Sequence, residues 1–383
     1  MIPCQRHLFD MPRDVAYLNC AYMSPMLNAA VEAGRAAVES KARPWLLTPA
    51  GFLGWRGRAR GLFAKLIGAE DQDVALVPAA SYGIATAAAN LPLAAGQTVV
   101  TLADQFPANV YPWRSRAAEA GAEVIAVDAG PDGDLTAAVL DAIDARTAVV
   151  AIERVRWTDG ALVDLARVGD AARARGAALV LDLTQCAGAL PFDVSEIRPD
   201  YMVAATYKWL LGPYAMGFLY VAPHRQDGRP LEETWLGRAG SEDFSRLVDY
   251  QDGYQPGAIR FDMGEASNFQ LAPITCAALE QLLDWGVADI RATLAGRTRA
   301  IAGRAAALGL ASAPEPLRAG HFLGLSFPDG VPDDLPSRLA EAGVHVSLRG
   351  RSLRVTPHLW TDDADVDRLF EALGAALGRG KHA

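Results

Sequence analysis

The segment Asp200-Tyr-Met-Val-Ala-Ala-Thr-Tyr-Lys-Trp-Leu-Leu-Gly-Pro213 places a lysine within an almost entirely apolar stretch. Only four of the 36 Lys and Arg residues in this chain are lysines, so arginine would be expected if the position needed only a positive charge. A buried lysine can lose its proton and form a Schiff base with a carbonyl group, which a guanidinium cannot do. Lys208 is therefore either a reactive amine or a side chain that extends its head group to solvent.

Around this segment, short apolar runs alternate with Ala-rich helical patterns from about residue 74 to about residue 221. Such alternation is typical of a mostly parallel sheet that is covered by helices on both faces. We therefore predict an α/β fold whose ligands bind at the carboxyl ends of the strands. The predicted strands cover residues 74–77, 98–102, 123–127, 147–152, 178–182, 201–205 and 217–221.

The chain divides into three parts by pattern. Residues 1–40 are predicted to form an extended arm and a first helix, residues 41–262 a large domain, and residues 263–383 a smaller α+β domain. The boundary follows an aperiodic stretch, 224–262, that is rich in Gly, Asp and aromatic residues. The smaller domain is predicted to contain helices at 271–285, 287–308, 335–342 and 362–378, a strand at 321–327, and a hairpin of 344–348 with 352–355.

Composition excludes several function classes. A formal charge of −9 over 383 residues argues against a general binder of nucleic acid or anionic membranes, because such proteins need a basic face. The chain has no apolar run of about 18 residues and opens without a charged-then-apolar leader, so we expect a cytoplasmic protein with no membrane partner. The four cysteines and six histidines lack the spacing of disulfides or zinc ligands, and no metal is predicted.

Two further positions change the interpretation of the lysine. Asp182 ends an apolar strand, where a carboxylate is costly unless it meets a cation or caps the next turn. Ser81 follows the strand at 74–77 and is predicted to be the N-cap of a helix over 84–90, whose free N–H groups suit a phosphate, although a purely structural cap is the alternative. No dinucleotide-binding or P-loop motif is present. A phosphate-binding helix start, a strand-end carboxylate and a buried lysine together match the needs of pyridoxal 5′-phosphate.

The sequence resembles the class V aminotransferases, fold-type I pyridoxal-phosphate enzymes that include cysteine desulfurases, selenocysteine lyases, kynureninases and isopenicillin N epimerase-like proteins. The resemblance covers nearly the whole chain and is carried by Val180-Leu-Asp-Leu-Thr-Gln-Cys-Ala-Gly-Ala-Leu-Pro191 and Thr206-Tyr-Lys-Trp-Leu-Leu-Gly-Pro213. It implies a seven-stranded, mostly parallel sheet in the large domain. It also implies a homodimer with its sites at the subunit interface and a small amino-acid substrate.

The resemblance assigns roles to residues around the cofactor. Lys208 would form the Schiff base and then move the Cα proton, Asp182 would pair with the pyridinium, and Gln185 would bond the ring hydroxyl. Phe106 would stack on the ring. The phosphate would be bound by Ala80, Ser81 and Tyr207, with Ser267 or a backbone group of the 260–268 loop reaching the phosphate of the neighbouring subunit.

The resemblance also suggests how the substrate is held. Arg354 would bind the substrate carboxylate through its guanidinium fork, with a solvent-facing strand arginine as the alternative. Asn19, Tyr22 and Trp157 lie in segments that would line the substrate-binding region.

Two departures from the family bear on the reaction. The loop 347–351 contains no cysteine where desulfurases carry their persulfide-forming thiol, and Phe106 stands where many desulfurases have histidine. We therefore predict transamination, or lyase chemistry on a C–S or C–X bond through a Cα carbanion, and not persulfide formation. An epimerase of the same family is the alternative. From other classes, a cofactor-independent Schiff-base lyase and a non-catalytic, pyridoxal-phosphate-binding regulatory domain remain open.

Overall fold

A computed structural model describes residues 1–130 and 132–378. The strands are β1 (Ala16–Tyr17), β2 (Val74–Val77), β3 (Thr98–Leu102), β4 (Glu123–Val127), β5 (Thr147–Glu153), β6 (Ala178–Asp182), β7 (Tyr201–Ala205), β8 (Gly217–Val221), β9 (Leu323–Ser326), β10 (Val344–His345), β11 (Ser347–Arg349) and β12 (Ser352–Val355). The helices are α1 (Asn28–Ala42), α2 (Pro49–Ile67), α3 (Ala80–Asn90), α4 (Tyr111–Ala120), α5 (Leu135–Ala142), α6 (Leu165–Ala174), α7 (Val194–Ile197), α8 (Ala272–Trp285), α9 (Val287–Ala307), α10 (Leu335–Glu341) and α11 (Asp363–Ala376). No helix in these two ranges is long and apolar enough to cross a bilayer.

The central sheet has seven strands in the order β2-β8-β7-β6-β5-β3-β4. Only β8 runs antiparallel to its neighbours, and strands β2, β3, β6, β7 and β8 are buried along their full length. Full burial is expected because helices cover both faces of such a sheet. The predicted α/β fold with a mostly parallel, seven-stranded sheet is confirmed.

The order of strands reverses between β3 and β5. From β3 the chain adds β4 at the edge, then returns to place β5 on the other side of β3 and continues through β6 and β7. At such a reversal the loops leave the carboxyl ends of adjacent strands in opposite directions and open a crevice. The segments after β3, β5, β6 and β7 therefore border one site.

The C-terminal part contains the antiparallel sheet β11-β12-β9, with α9 against β9, whereas α10 and α11 pack against β10. The predicted hairpin of 344–348 with 352–355 is partly wrong, because two short strands replace its first arm. Strand β10 pairs in parallel with β1 of the N-terminal arm, and only β11 pairs with β12. The arm thus supplies a strand partner that pattern analysis of the C-terminal segment alone does not reveal.

The sequence did not predict helix α2. Its inward face carries the buried arginines Arg56 and Arg60, which weaken the apolar periodicity by which helices are identified. Arg60 is neutralised by Asp262, with 2.7 Å between Nη2 and Oδ2. Both α1 and α2 pack against α8. The proposed domain boundaries at residues 40 and 262 stay a prediction.

Candidate active site

A cavity of about 230 Å³ opens at the carboxyl ends of β5, β6 and β7 and at the start of α3. The structure brings eight of the predicted residues into its walls: Ala80, Ser81, Phe106, Trp157, Asp182, Gln185, Tyr207 and Lys208. The other lining residues are Pro78, Ala79, Ala108, Glu153, Thr184, Ala205, Tyr214 and Ala215. A wider surface groove of about 630 Å³ lies among residues 233–252, a stretch without lysine. The smaller cavity therefore is the candidate site.

Lys208 is a buried amine and does not extend to solvent. Its side chain is 5% exposed, and Nζ lies 5.3 Å from the ring centroid of Phe106 and 5.4 Å from that of Tyr207. Burial lowers the pKa of the amine to about 8, although the negative charge of Asp182 acts in the opposite direction. A useful fraction of the amine is therefore unprotonated near neutral pH, as nucleophilic attack on a carbonyl requires.

The turn that presents Lys208 is fixed by its own backbone and by a threonine. Thr206 Oγ1 donates to the carbonyl oxygen of Pro213 at 2.6 Å, which closes the loop after β7. Leu211 and Ala215 adopt left-handed backbone conformations, with φ of 55° and 63°. Such conformations are uncommon for residues other than glycine and occur where surrounding contacts enforce them.

Two carboxyl groups end neighbouring strands. Glu153 of β5 and Asp182 of β6 are partners in the parallel register, and both are almost fully buried. Burial raises the pKa of both side chains, and the charge of Asp182 further raises that of Glu153. Asp182 accepts a hydrogen bond from Thr184 N at 2.9 Å, and Glu153 accepts one from Trp157 N at 3.2 Å. Neither carboxylate has an ion-pair partner in the described ranges.

Sequence analysis missed Glu153. The signal was available, because Glu153 ends the apolar strand β5 in the same way that Asp182 ends β6. The predicted strand ends one residue earlier, at 152, so it does not include this acidic residue. Its position in the cavity wall makes it a candidate functional residue.

The start of α3 differs from the prediction. The helix begins at Ala80, four residues before the expected start, and Ala79 rather than Ser81 is the N-cap. Ala79 is extended and has no side chain that can cap, whereas Ser81 is exposed in the first turn. The N–H groups of this turn have no side-chain cap, so they and the Ser81 hydroxyl can bind an anion.

Gln185 is held in place by two protein contacts. Its Oε1 accepts from Trp209 Nε1 and its Nε2 donates to the carbonyl oxygen of Ala21, both at 3.1 Å. One N–H of the amide remains for a ligand. The backbone oxygen of Gln185 also contacts His321 Nε2 at 2.7 Å.

Arg354 is buried, so a solvent-facing position is wrong. Its Nη1 donates to the backbone oxygen of Trp157 at 2.9 Å, and its Nε and Nη2 donate to Ser347 Oγ at 2.9 and 2.6 Å. Ser347 Oγ in turn donates to Asn19 Oδ1 at 2.9 Å. Burial and the nearby charge of Arg349 lower the pKa of Arg354 to about 10. Asn19 therefore positions Ser347, and neither Asn19 nor Arg354 belongs to the lining of the cavity.

Two predicted residues lie away from the cavity. Tyr22 is 52% exposed and is not part of the lining. Ser267 is 1% exposed, and its hydroxyl has no hydrogen-bond partner among the residues that the structure describes. Burial within its own chain does not fit a contact from Ser267 to a neighbouring subunit, because the side chain is not at the surface.

The cavity suits the cofactor predicted from sequence. Asp182 is a buried carboxylate that interacts with the charge of Lys208 but forms no direct ion pair within the described ranges, and a protonated pyridine nitrogen would supply one. The uncapped start of α3 suits a phosphate, and the amine of Lys208 suits an aldehyde. Residues 1–130 and 132–378 hold no cluster of side chains suited to a metal ion.

Comparison with known proteins gives a consistent picture. The family model for Aminotransferase class-V matches residues 57–358. Isopenicillin N epimerase of Streptomyces clavuligerus is 25% identical, and the match covers 95% of both chains. The uncharacterized aminotransferase YcbU of Bacillus subtilis is 31% identical over 61% of this chain and 60% of that protein. Kynureninase of Deinococcus radiodurans is 28% identical over 71% of this chain and 67% of that protein.

Solved structures agree in fold. The apo cysteine desulfurase of Thermococcus onnurineus superposes with a TM-score of 0.85 at 17% identity, over 99% of both chains. The cysteine desulfurase CsdA of Escherichia coli superposes with a TM-score of 0.81 at 21% identity, over 97% of both chains. Identities this low establish a shared fold and leave the reaction open.

Proposed function

The chain belongs to the aminotransferase class V family, and on that premise we propose that it acts on a small amino acid, or a derivative of one, by transamination or by lyase chemistry. It is a pyridoxal-phosphate-dependent enzyme. The observation that carries the proposal is the buried Lys208, whose pKa is lowered to about 8 in a cavity that also holds Asp182. Both reactions begin with removal of a proton from the substrate Cα, for which a lysine of this pKa is suited.

When bound, pyridoxal phosphate supplies an aldehyde that links to an amine and a ring that accepts electrons from a bond at Cα. The first turn of α3, with Ser81, would hold the phosphate, and Asp182 would keep the ring nitrogen protonated. Phe106 and Lys208 lie close enough to place the ring between an aromatic face and the amine. Gln185 would use its remaining N–H toward the ring oxygen.

Lys208 would serve first as the attachment point and then as the acid and base. Displaced by the amino group of the substrate, its amine would be free to take the Cα proton and return it at another atom. Arg354 would hold the substrate carboxylate, because its guanidinium has no carboxylate partner within the described part of the chain. The cavity wall would exclude water through Phe106, Trp157 and Tyr207, which would keep the pKa of the Lys208 amine low.

The state of the thiols supports the exclusion of persulfide chemistry. The loop 347–351 has no cysteine, and of the four cysteines only Cys20 interacts electrostatically with Lys208. Cys20 is fully buried, and burial raises its thiol pKa well above the ordinary value. A thiol that stays protonated is a poor nucleophile.

An epimerase is the second candidate. The match to isopenicillin N epimerase spans 95% of both chains, more than the match to the aminotransferase or the kynureninase. Epimerisation would use the same lysine but needs the proton returned to the opposite face of Cα. Its signature is a change in the optical activity of the substrate without any keto acid or ammonia.

We also propose a homodimer in the cytoplasm. Several large apolar side chains are exposed on the single chain, and burial against a second copy would remove them from water. They include Trp45, Leu46, Val248 and Tyr250, each at least 66% exposed. Light scattering measures the mass of the purified protein in solution. A mass equal to that of one chain would contradict the dimer.

Covalent attachment of the cofactor tests the assignment of Lys208. After borohydride reduction, mass spectrometry should find the cofactor on Lys208 in the wild type and in the control Lys65→Ala, but on no residue in Lys208→Ala. We expect Lys208→Ala to lower turnover by roughly 10²- to 10⁴-fold, the usual contribution of a positioned acid–base group. A reduced cofactor on another residue of Lys208→Ala would overturn the assignment.

Product analysis separates the reactions. Amino acids are added singly to the holoenzyme. A keto acid formed in equal amount to the pyridoxamine form of the cofactor indicates transamination. Ammonia released without that form indicates elimination. Sulfur left on the protein after incubation with cysteine would contradict the exclusion of persulfide chemistry.

A further inference from the structure

Two arginines of one hairpin flank the ring of Trp157. In the β11–β12 register, Ser347 faces Arg354 and Arg349 faces Ser352. Because opposite residues and residues two apart share a face of a sheet, both arginine side chains project from the same face. The guanidinium carbons of Arg349 and Arg354 each lie 5.9 Å from the ring centroid of Trp157, which lines the cavity.

Neither guanidinium has a countercharge within residues 1–130 and 132–378. Arg349 Nη1 donates only to the carbonyl oxygen of Leu348, at 2.7 Å, and Arg354 donates only to neutral oxygen atoms. The neighbouring Arg156, by contrast, pairs with both Asp128 and Asp159. Asp128 and Asp159 thus already have a cationic partner in Arg156.

The two arginines are close enough to affect each other. The charge of Arg349 contributes, after burial, to the lowered pKa of Arg354. Like charges brought together with little water are unfavourable unless a ligand supplies the opposite charge. A ligand with one carboxylate neutralises one of the two guanidinium groups and leaves the other without a countercharge.

We propose that Arg349 binds a second anionic group of the substrate, beyond the carboxylate held by Arg354, so that the substrate is an amino acid with an acidic side chain. The inference rests on the proposed function, which assigns the first carboxylate to Arg354. A guanidinium presents two parallel N–H donors to a carboxylate, which suits it to recognise such a group. The ring of Trp157 is a common neighbour of both guanidinium groups.

Binding of simple acids to the holoenzyme tests the inference. Valerate carries one carboxylate, and succinate, glutarate and adipate carry two at increasing separation. Dissociation constants are measured by titration calorimetry. We expect the best dicarboxylate to bind roughly ten- to a hundredfold more tightly than valerate, as one added charge-assisted pair allows.

Variants of the hairpin test whether Arg349 causes the preference for dicarboxylates. Arg349→Gln should remove the dicarboxylate preference and leave valerate binding unchanged, and Arg349→Lys should retain part of it. Arg351→Gln is the matched control, because it removes an exposed positive charge from the same turn and should keep the preference.

Two results would overturn the inference. One is equal binding of valerate and every dicarboxylate to the wild type, which needs no variant. The other is equal weakening of valerate and dicarboxylates in Arg349→Gln, which would mean that both arginines hold one carboxylate. A protein that fails to bind pyridoxal phosphate would instead refute the proposed function, and the same titrations on the apoprotein would still report on Arg349.

Discussion

At the scale of single residues, Glu153 and Asp182 share one buried environment, and burial, followed by the charge of Asp182, raises the pKa of Glu153 well above its ordinary value. Its folded-state pKa is raised, so the folded apoprotein binds more protons than the unfolded chain above the ordinary glutamate pKa. The contribution of this group to stability is therefore fully present at low pH and is lost as pH rises toward the folded-state pKa. Glu153→Gln should stabilise the apoprotein more at pH 8 than at pH 5.

Thermal unfolding of the wild type and Glu153→Gln at the two pH values measures this effect. Glu196→Gln, at an exposed position, serves as the control. An equal shift of the unfolding temperature at both pH values would show that Glu153 binds no more protons in the folded protein than in the unfolded chain over this range.

The amine of Lys208 gives a second prediction at this scale. Its pKa of about 8 predicts that modification by pyridoxal phosphate and borohydride reaches half of its maximum near pH 8. Asp182→Asn removes the negative charge that favours the protonated amine, so the midpoint should move to lower pH. The amount of labelled peptide is measured by mass spectrometry as a function of pH, which gives the midpoint for the wild type and for Asp182→Asn. An unshifted midpoint in Asp182→Asn would contradict the electrostatic link.

The site residues that were predicted well from sequence are charged residues in apolar surroundings, where burial of the charge costs free energy. A lysine in the apolar segment after β7 and an aspartate at the end of the apolar strand β6 are costly without a function, so Lys208 and Asp182 are identifiable from sequence. Glu153 was missed through an error of one residue in a strand boundary. Ser347 was missed because a serine near a strand end has no distinctive pattern, although it is the hydrogen-bond partner of Arg354.

At the scale of elements, the buried pair of Arg60 and Asp262 connects α2 to the sheet. Asp262 also accepts from Leu76 N of β2 at 2.7 Å, and Arg60 Nε donates to the carbonyl oxygen of Val74 at 2.7 Å. Asp262→Ala leaves Arg60 buried without a countercharge, and we expect a loss of about 3–5 kcal/mol of unfolding free energy. Glu280→Ala breaks the exposed pair with Arg58 and should cost at most about 1 kcal/mol.

Urea denaturation of the two variants measures the difference. Arg60→Met combined with Asp262→Leu should recover much of the loss, because both charges are then removed from the interior. Equal costs for Asp262→Ala and Glu280→Ala would show that burial of the pair is unimportant.

Element boundaries show where sequence patterns fail. The strands of the central sheet were predicted to within a residue, because full burial produces continuous apolar runs. Helix α2 was not predicted because its buried face carries arginines. The predicted start of α3 was wrong because its N-cap is an alanine. The pairing of β1 with β10 joins segments that are far apart in sequence, which local patterns do not report.

At the scale of the whole molecule, two buried histidines predict sensitivity to acid. His321 and His358 are fully buried, and burial lowers their pKa values to about 4 and about 3. The unfolded chain therefore binds more protons than the folded one below the ordinary pKa of 6.5. Their stabilising contribution is complete above that pH and is lost as pH falls, on the order of 2 kcal/mol for each histidine at pH 5.

The replacement His358→Phe should flatten the dependence of unfolding free energy on pH between 4 and 6.5. Its ring stacks on Trp360 with 4.8 Å between centroids, a contact that phenylalanine can keep. His7→Gln, at an exposed position, should leave the profile unchanged. Identical profiles for His358→Phe and the wild type would contradict a neutral buried histidine.

The fold, the family and the cofactor were predictable from sequence, because one lysine-containing segment and one aspartate-containing segment are highly specific. Family membership confirms the pyridoxal-phosphate enzyme and argues against a cofactor-independent lyase or a regulatory domain. The substrate was not predictable, since the residues proposed to contact it come from separate segments such as 153–157 and 347–354. Their mutual position follows from packing and not from local pattern.

The hydrogen bond between Asn19 and Ser347 joins residues 328 positions apart. The walls of the cavity come from residues 78 to 215, so the hydrogen-bond network around Arg354 depends on contacts of much greater sequence separation than the cavity does. Contacts across such separations carry a larger loop-closure entropy and form slowly. During synthesis, all residues of the cavity wall therefore leave the ribosome before Ser347 and Arg354 do.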